Sequence, residues 1–221
     1  MRPPRGGRAA LQHLVSIMTE INAKTVMALR GMTGAPMMDC KAALIEAGGD
    51  LDKAKDVLRK RGKAVADKAS SREVKEGRLF SYVHHNGKIG VLAEIVCETD
   101  FVARNEEFLA FGRGVCLTAA AYRPEALDRE ALDPELVAKE REIVEEQTLA
   151  TMKGKPQQVV EKAIEGRLDK FYAAKCLLEM PYVNPEDQGD TRTVEQVRAD
   201  LVAKIGENIR IRRFTRLELG A

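Results

Sequence analysis

Between Asn22 and Leu58 the apolar residues fall at three- and four-residue steps, the period of a helix with one buried face. Asn22 predicts the cap of a first helix running to about Arg30, with Val26 and Leu29 on one side. Gly31 to Ala35 reads as a turn. Pro36 suits the first turn of a second helix, where its missing N–H costs nothing. That helix carries Met37, Met38, Cys40, Ala43, Leu44 and Ala47, and Gly48-Gly49 ends it. Asp50 caps a third, with Leu51, Ala54, Val57 and Leu58 in phase. Lys60 to Glu76 is charged and Ala/Ser-rich, and predicts a tapering helix and then a linker. Three short helices make a bundle that is marginal alone and suits a docking module.

From Gly77 the period changes. Arg78–His85 and Lys88–Cys97 read as strands around Asn86-Gly87, a strong hairpin signal. Ile89, Val91, Ala93, Ile95 and Cys97 share one face. Leu92 and Val96 are apolar on the other, which predicts a strand buried on both sides. Helices follow: one capped by Asn105 and stopped at Tyr122-Arg123-Pro124, one opened by Asp133-Pro134, one opened by Pro156, and one opened by the capping box Thr193 to Gln196. The last segment alternates at Ile209 and Ile211, then slips parity by Phe214, which predicts a strand with a bulge. The class is α+β: a helical N-terminal module, then an antiparallel sheet with helices on one side. No β-α-β-α alternation supports a doubly wound nucleotide fold.

Composition sharpens this. The chain has 221 residues, enough for a small domain plus a larger one. No apolar run approaches the roughly 18 residues of a membrane span. The net charge of +2 hides an asymmetry. Residues 1–17 hold Arg2, Arg5 and Arg8 and no acid. The remaining 33 basic and 34 acidic residues leave a body at −1. Residues 1–17 read as an upstream start or non-native extension. An organellar transit peptide is the alternative, and the apolar part is too short for a secretory signal. The divisions are therefore 1–17, a helical domain at 18–70 and an α+β core at 71–221.

Candidate chemistry is sparse. Cys40, Cys97, Cys116 and Cys176 form no close pair and sit among apolar neighbours, which predicts buried thiols in a reducing compartment. That points to the cytoplasm, or to an organelle matrix if residues 1–17 are a transit peptide. Phosphate-loop, dinucleotide, zinc-protease and serine-hydrolase motifs are all missing. His84-His85 reads as a solvated hairpin end, with rings on opposite faces if extended. A metal- or thiol-dependent enzyme using His84, His85 and Cys97 is a weak rival. Arg210, Arg212, Arg213 and Arg216 give the last strand a basic face, without the exposed aromatics of single-strand binders.

Two constellations stand out. Met37-Met38 opens a helix beside Thr33-Gly34-Ala35, and successive methionines cannot both be core, so one offers an adaptable contact. Thr99-Asp100-Phe101-Val102-Ala103-Arg104-Asn105 places an acid and a large ring between a buried strand and a helix cap. Phe101 reads either as a staple packed near that helix start or as an exposed contact.

These two segments resemble the signature motifs of the elongation factor Ts family. Gly49-Asp50 through Arg61-Gly62-Lys63 resembles the rest of its ubiquitin-associated-like domain. Lys155-Pro156 through Arg167 and Gly206 through Phe214 resemble later core motifs. The match spans Met18 to Gly220, without the family's long inserted coiled-coil hairpin. It implies a guanine-nucleotide exchange factor for elongation factor Tu, not an enzyme with catalytic residues, needing no cofactor or metal of its own. It implies partner contacts at Leu29, Arg30, Met37 and Met38 on the docking helices. In the core it implies Thr99, Asp100, Phe101 and Val102, with Phe101 as a wedge near the partner's magnesium and phosphates. No direct nucleic-acid or membrane partner is implied, and a homodimer, formed by some short members, is left open. Two departures matter. Gly31-Met32 stands where charged residues are common, so the docking helix is expected to end early. Thr118 occupies the position of a supporting histidine. The remaining alternative is a nucleic-acid-binding protein using the Arg-rich terminus and basic strand.

Overall fold

The computed structural model describes residues 21–185, 187 and 189–220. The readings placed on residues 1–17 lie outside them. The described chain is α+β and falls into two units. The first takes residues up to Arg72 together with Ala199–Asn208; the second takes Glu73–Arg198 and the chain from Ile209 on.

In the first unit, helices α1 (Ala23–Thr33), α2 (Met37–Glu46) and α3 (Leu51–Ala69) enclose Val26, Leu29, Cys40, Ala43, Leu44 and Ala54. Asn22 Oδ1 caps α1 by accepting from Thr25 N (2.9 Å), and Asp50 Oδ1 caps α3 by accepting from Asp52 N (3.0 Å) and Lys53 N (3.1 Å). Two sequence expectations give way. First, α1 does not end at Gly31-Met32. It reaches Thr33, where Gly34 adopts φ 68° and donates its N–H to Arg30 O (2.7 Å). Second, α3 does not taper but runs nineteen residues. Its second half buries Gly62, Ala66 and Ala69 in a unit that also holds Ala199–Asn208. A β-carbon on Gly62 would lie 3.6 Å from Ala203 Cβ, so the small residues admit a close helix neighbour. Arg72 Nη1 donates to Gly206 O (2.9 Å), and Asn208 Nδ2 donates to Arg72 O (2.8 Å). The sequence reading assigns that 199–208 segment to the core beyond residue 71.

The second unit is built on an antiparallel sheet ordered β1 (Glu76–Val83), β2 (Ile89–Cys97), β3 (Arg210–Glu218). Asn86-Gly87 sits in the β1–β2 turn, but the strands stop earlier than predicted. Gly87 donates to His84 O (2.8 Å) with φ 67°, making a longer turn than a two-residue one. The predicted bulge is present. Glu94 pairs with Arg213 and Ile95 with Ile211, leaving Arg212 as the extra residue.

Five further helices follow in chain order: α4 (Asp100–Ala103), α5 (Glu106–Tyr122), α6 (Pro134–Thr151), α7 (Gln157–Lys175) and α8 (Val194–Ile205). Helix α5 packs on the face formed by Val91, Ala93, Ile95 and Cys97. It comes close because Gly112 leaves room for the Phe80 ring and Gly114 for Tyr182. The opposite face corrects the two-sided burial expected of β2. Val96 is buried, but Leu92 is 48% exposed, with Leu79, Val83 and Leu217 also open. Thr193 and Gln196 form the predicted capping box of α8, each backbone N–H donating to the other's side-chain oxygen.

Candidate functional site

The junction after β2 is a single helical turn held between two caps. Thr99 precedes α4, and its Oγ1 accepts from Val102 N (3.4 Å). Arg104 N donates to Phe101 O (3.2 Å) and Asn105 N to Val102 O (3.0 Å), closing the turn. Asn105 then caps α5 by accepting from Glu107 N (2.8 Å). Beneath the turn, the buried Cys97 thiol donates to Thr99 O (3.2 Å).

One turn sorts its four residues by direction. Val102 and Ala103 point inward and are buried, whereas Phe101 stands 80% exposed. The staple reading of Phe101 is therefore excluded, because a stapled ring would be covered. Val102, expected as a contact, is buried beneath the turn and anchors it. A large ring held in water on a short, doubly capped turn carries unspent apolar area, worth roughly 1.5–3 kcal/mol when buried. Beside it, Asp100 Oδ2 accepts from Arg104 Nη2 at 2.6 Å, one helical turn on. Arg104 is a neighbour that sequence reasoning missed, although the i, i+4 spacing of opposite charges signals it.

In the first unit Met38 is 73% exposed and Met37 39%, and Arg30 is exposed. Leu29 is 0% exposed and belongs to the core. Expected as a contact, it lies in the core beneath the helix that carries the exposed Arg30. Met27 and Met32 are exposed too and were missed. Their signal is that both lie off the Val26–Leu29 stripe, as an apolar residue on the wet face does.

Other candidates resolve into structure. Thr118 is buried; its Oγ1 donates to Gly114 O (2.8 Å) and accepts from Val183 N (2.8 Å), so it is committed to the fold. His84 and His85 lie in the turn rather than a strand, and their rings meet 4.1 Å apart instead of facing opposite ways. Tyr82 Oη is 2.8 Å from His84 Nδ1. No cluster of three His, Cys, Asp or Glu suited to a metal occurs among the described residues. All four thiols are buried, and burial pushes those of Cys116 and Cys176 up to about 11. On β3, Arg212 and Arg213 both donate to Glu94 (2.7 Å each). The bond from Arg213, then that from Arg212, holds the Glu94 carboxyl below its usual range.

A family model described as Elongation factor TS matches residues 52–189, more than half of the chain. The chain is 48% identical over 203 residues to the elongation factor Ts of Desulforamulus reducens, covering 92% of this chain and 91% of that protein. It belongs to the elongation factor Ts family. Elongation factor Ts of Carboxydothermus hydrogenoformans is 50% identical over 200 residues, covering 90% of this chain and 89% of its own. That of Alkaliphilus oremlandii is 51% identical over 201 residues, covering 91% and 90%. Within this family of translation elongation factors, the exposed Phe101 turn and the exposed Met37 and Met38 lie in the two segments that resemble the family's signature motifs. No described helix is long and apolar enough to cross a membrane.

Proposed function

We propose that this chain is a guanine-nucleotide exchange factor for elongation factor Tu. It binds the GDP-loaded GTPase, brings Asp100 and Phe101 near the partner's magnesium and phosphates, and promotes GDP release so that GTP can load. The observation that carries this reading is the 80% exposed Phe101 ring on its capped turn. Burying that ring in the partner would supply roughly 1.5–3 kcal/mol, enough to oppose part of the partner's hold on GDP. Arg104 acts as a positioning residue that keeps the Asp100 carboxylate beside the ring. Arg30, Met37 and Met38 supply the docking contact of the helical unit, with soft methionine side chains adapting to a helix surface. Thr99, Val102 and Leu29 hold these groups in place. The chain needs no catalytic residue of its own, no cofactor and no metal, because the free energy comes from binding.

Cytoplasm, or an organelle matrix if residues 1–17 address it there, is the matching location. A homodimer is supported by the open sheet face, where Leu79, Val83, Leu92, Leu217 and Leu219 are exposed and a second copy would cover them. The nucleic-acid alternative loses support from β3, whose Arg212 and Arg213 are paired to Glu94 and whose Arg216 is paired to Glu218.

Release of a fluorescent GDP from elongation factor Tu tests the reading. The parent chain should accelerate release, and a folded Phe101→Ala variant should lose roughly 10- to 100-fold of that effect. No acceleration by the parent overturns the function. Full acceleration by the variant overturns the wedge.

A further inference from the structure

A groove runs along the free edge of β3. The only strand neighbour of β3 is β2, so its outer backbone groups belong to no ladder among the described residues. Opposite lies the segment 124–131, whose backbone is committed elsewhere. Glu125 N donates to Lys175 O (2.9 Å), Leu177 N to Ala126 O (2.9 Å) and Leu178 N to Leu127 O (3.0 Å). Between edge and segment is a space of about 750 Å³, lined among others by Val96, Ala126, Arg210, Arg213 and Phe214. That is within the size of common binding clefts.

The charge of the groove is lopsided. Arg210 makes no ion pair among the described residues. Arg212 and Arg213 share the single carboxylate of Glu94. The acids of the opposite wall are engaged, Glu125 by Lys175 and Asp128 by the Ala131 N–H. An edge with unpaired backbone groups and surplus guanidinium charge fits one kind of guest.

The geometry points to an extended acidic peptide of a protein partner, which adds to β3 as a fourth strand. Main-chain bonds to the edge give affinity, and carboxylates meeting Arg210 give selectivity. The chain's own residues 1–17 do not fit, because they carry three arginines and no acid. RNA fits poorly, since Phe214 is the one aromatic side chain in the lining and is half-buried. Edge arginines also deter aggregation, but a merely guarded edge needs no second wall. The observations come from the β3 edge, not from the Phe101 turn, so this proposal stands apart from nucleotide exchange.

The probe is a blocked, fluorescein-labelled hexapeptide alternating glutamate and valine, followed by anisotropy with the full chain. Binding should weaken at least tenfold when alternate amides of the probe are N-methylated. It should weaken several-fold in Arg210→Glu, whose exposed side chain leaves the melting temperature unchanged. Amide exchange should slow within residues 210–218 and not at Phe101. The proposal is overturned by absence of binding at millimolar probe or by equal binding of the methylated probe. Displacement of the probe by a peptide of residues 1–17, or by a six-nucleotide single-stranded RNA, overturns it as well.

Discussion

Alanine at Gly112 and alanine at Gly166 should have opposite effects, although both positions lie inside helices. A β-carbon on Gly112 would stand 2.3 Å from Cε1 and Cζ of Phe80. Carbon atoms rest about 3.5–4.0 Å apart, so the ring must retreat by more than about 1 Å. Phe80 is buried, with its ring 5.7 Å from that of Phe108, so the displacement enters the core between β1 and α5. Overpacking of this kind costs about 1–3 kcal/mol, and the better helix propensity of alanine returns about 1 kcal/mol. The expected net is a loss of up to about 2 kcal/mol. At Gly166 of α7 nothing lies within 4 Å of the added carbon. Only propensity acts there, and alanine should stabilise by about 1 kcal/mol. Denaturant unfolding followed by circular dichroism reads both values, and melting temperatures should shift by about 2–4 °C per kcal/mol. Equal stabilisation by the two substitutions would refute the close approach of Phe80 to α5.

Four further outcomes follow from the same structure. Phe101→Ala should leave unfolding stability within about 0.5 kcal/mol, because the ring is exposed; a larger loss in the denaturation midpoint would return Phe101 to the core. Asn105→Ala should cost about 1 kcal/mol by the same measurement, since its side chain accepts from Glu107 N and Phe108 N. Glu94 has a folded-state pKa below its ordinary 4.5, so its stabilisation is present above that pH and fades as pH falls through the lowered value. The stability gap to Glu94→Gln should therefore close in acid, and a gap constant with pH would disprove the linkage. Cys116, raised by burial from 9.0 to about 11, holds about a hundredfold less thiolate at neutral pH, and reaction with a chromogenic disulfide should be correspondingly slow until the chain unfolds.

Local rules carried much of the fold. Asn22, Asp50, Asn105, Asp133 and Thr193 each accept backbone bonds at the helix starts where their side chains predict them. The bulge in β3 was readable because an extra residue must reverse the inward and outward parity. What failed depended on distant partners. The second half of α3 buries only glycine and alanine, a weak apolar signal, and Ala203 lies far along the chain. Leu92 has the right residue type for a covered face, but alternation within a strand says nothing about whether another layer arrives. The choice between a staple and an exposed contact at Phe101 stayed open for a related reason. The ring's direction depends on the phase of a four-residue turn, which is set by two caps together and by Val102 taking the inward position.

That phase separates two free energies that a single apolar turn could have merged. Val102 and Ala103 are buried on folding, so their contribution belongs to the chain's own stability. The area of Phe101 is mostly retained in water and is available for association. On the exchange reading this separation is necessary. A factor that weakens GDP by a given ratio is itself weakened by GDP in the same ratio. The ring must therefore enter and leave within each cycle, while the turn beneath it persists. A Phe101 packed into the core could bind only by local unfolding, whose cost would be subtracted from the partner's destabilisation. On that reading, the two caps remove the cost by holding the ring in its exposed position beforehand, so that nearly all of its burial energy would reach the partner.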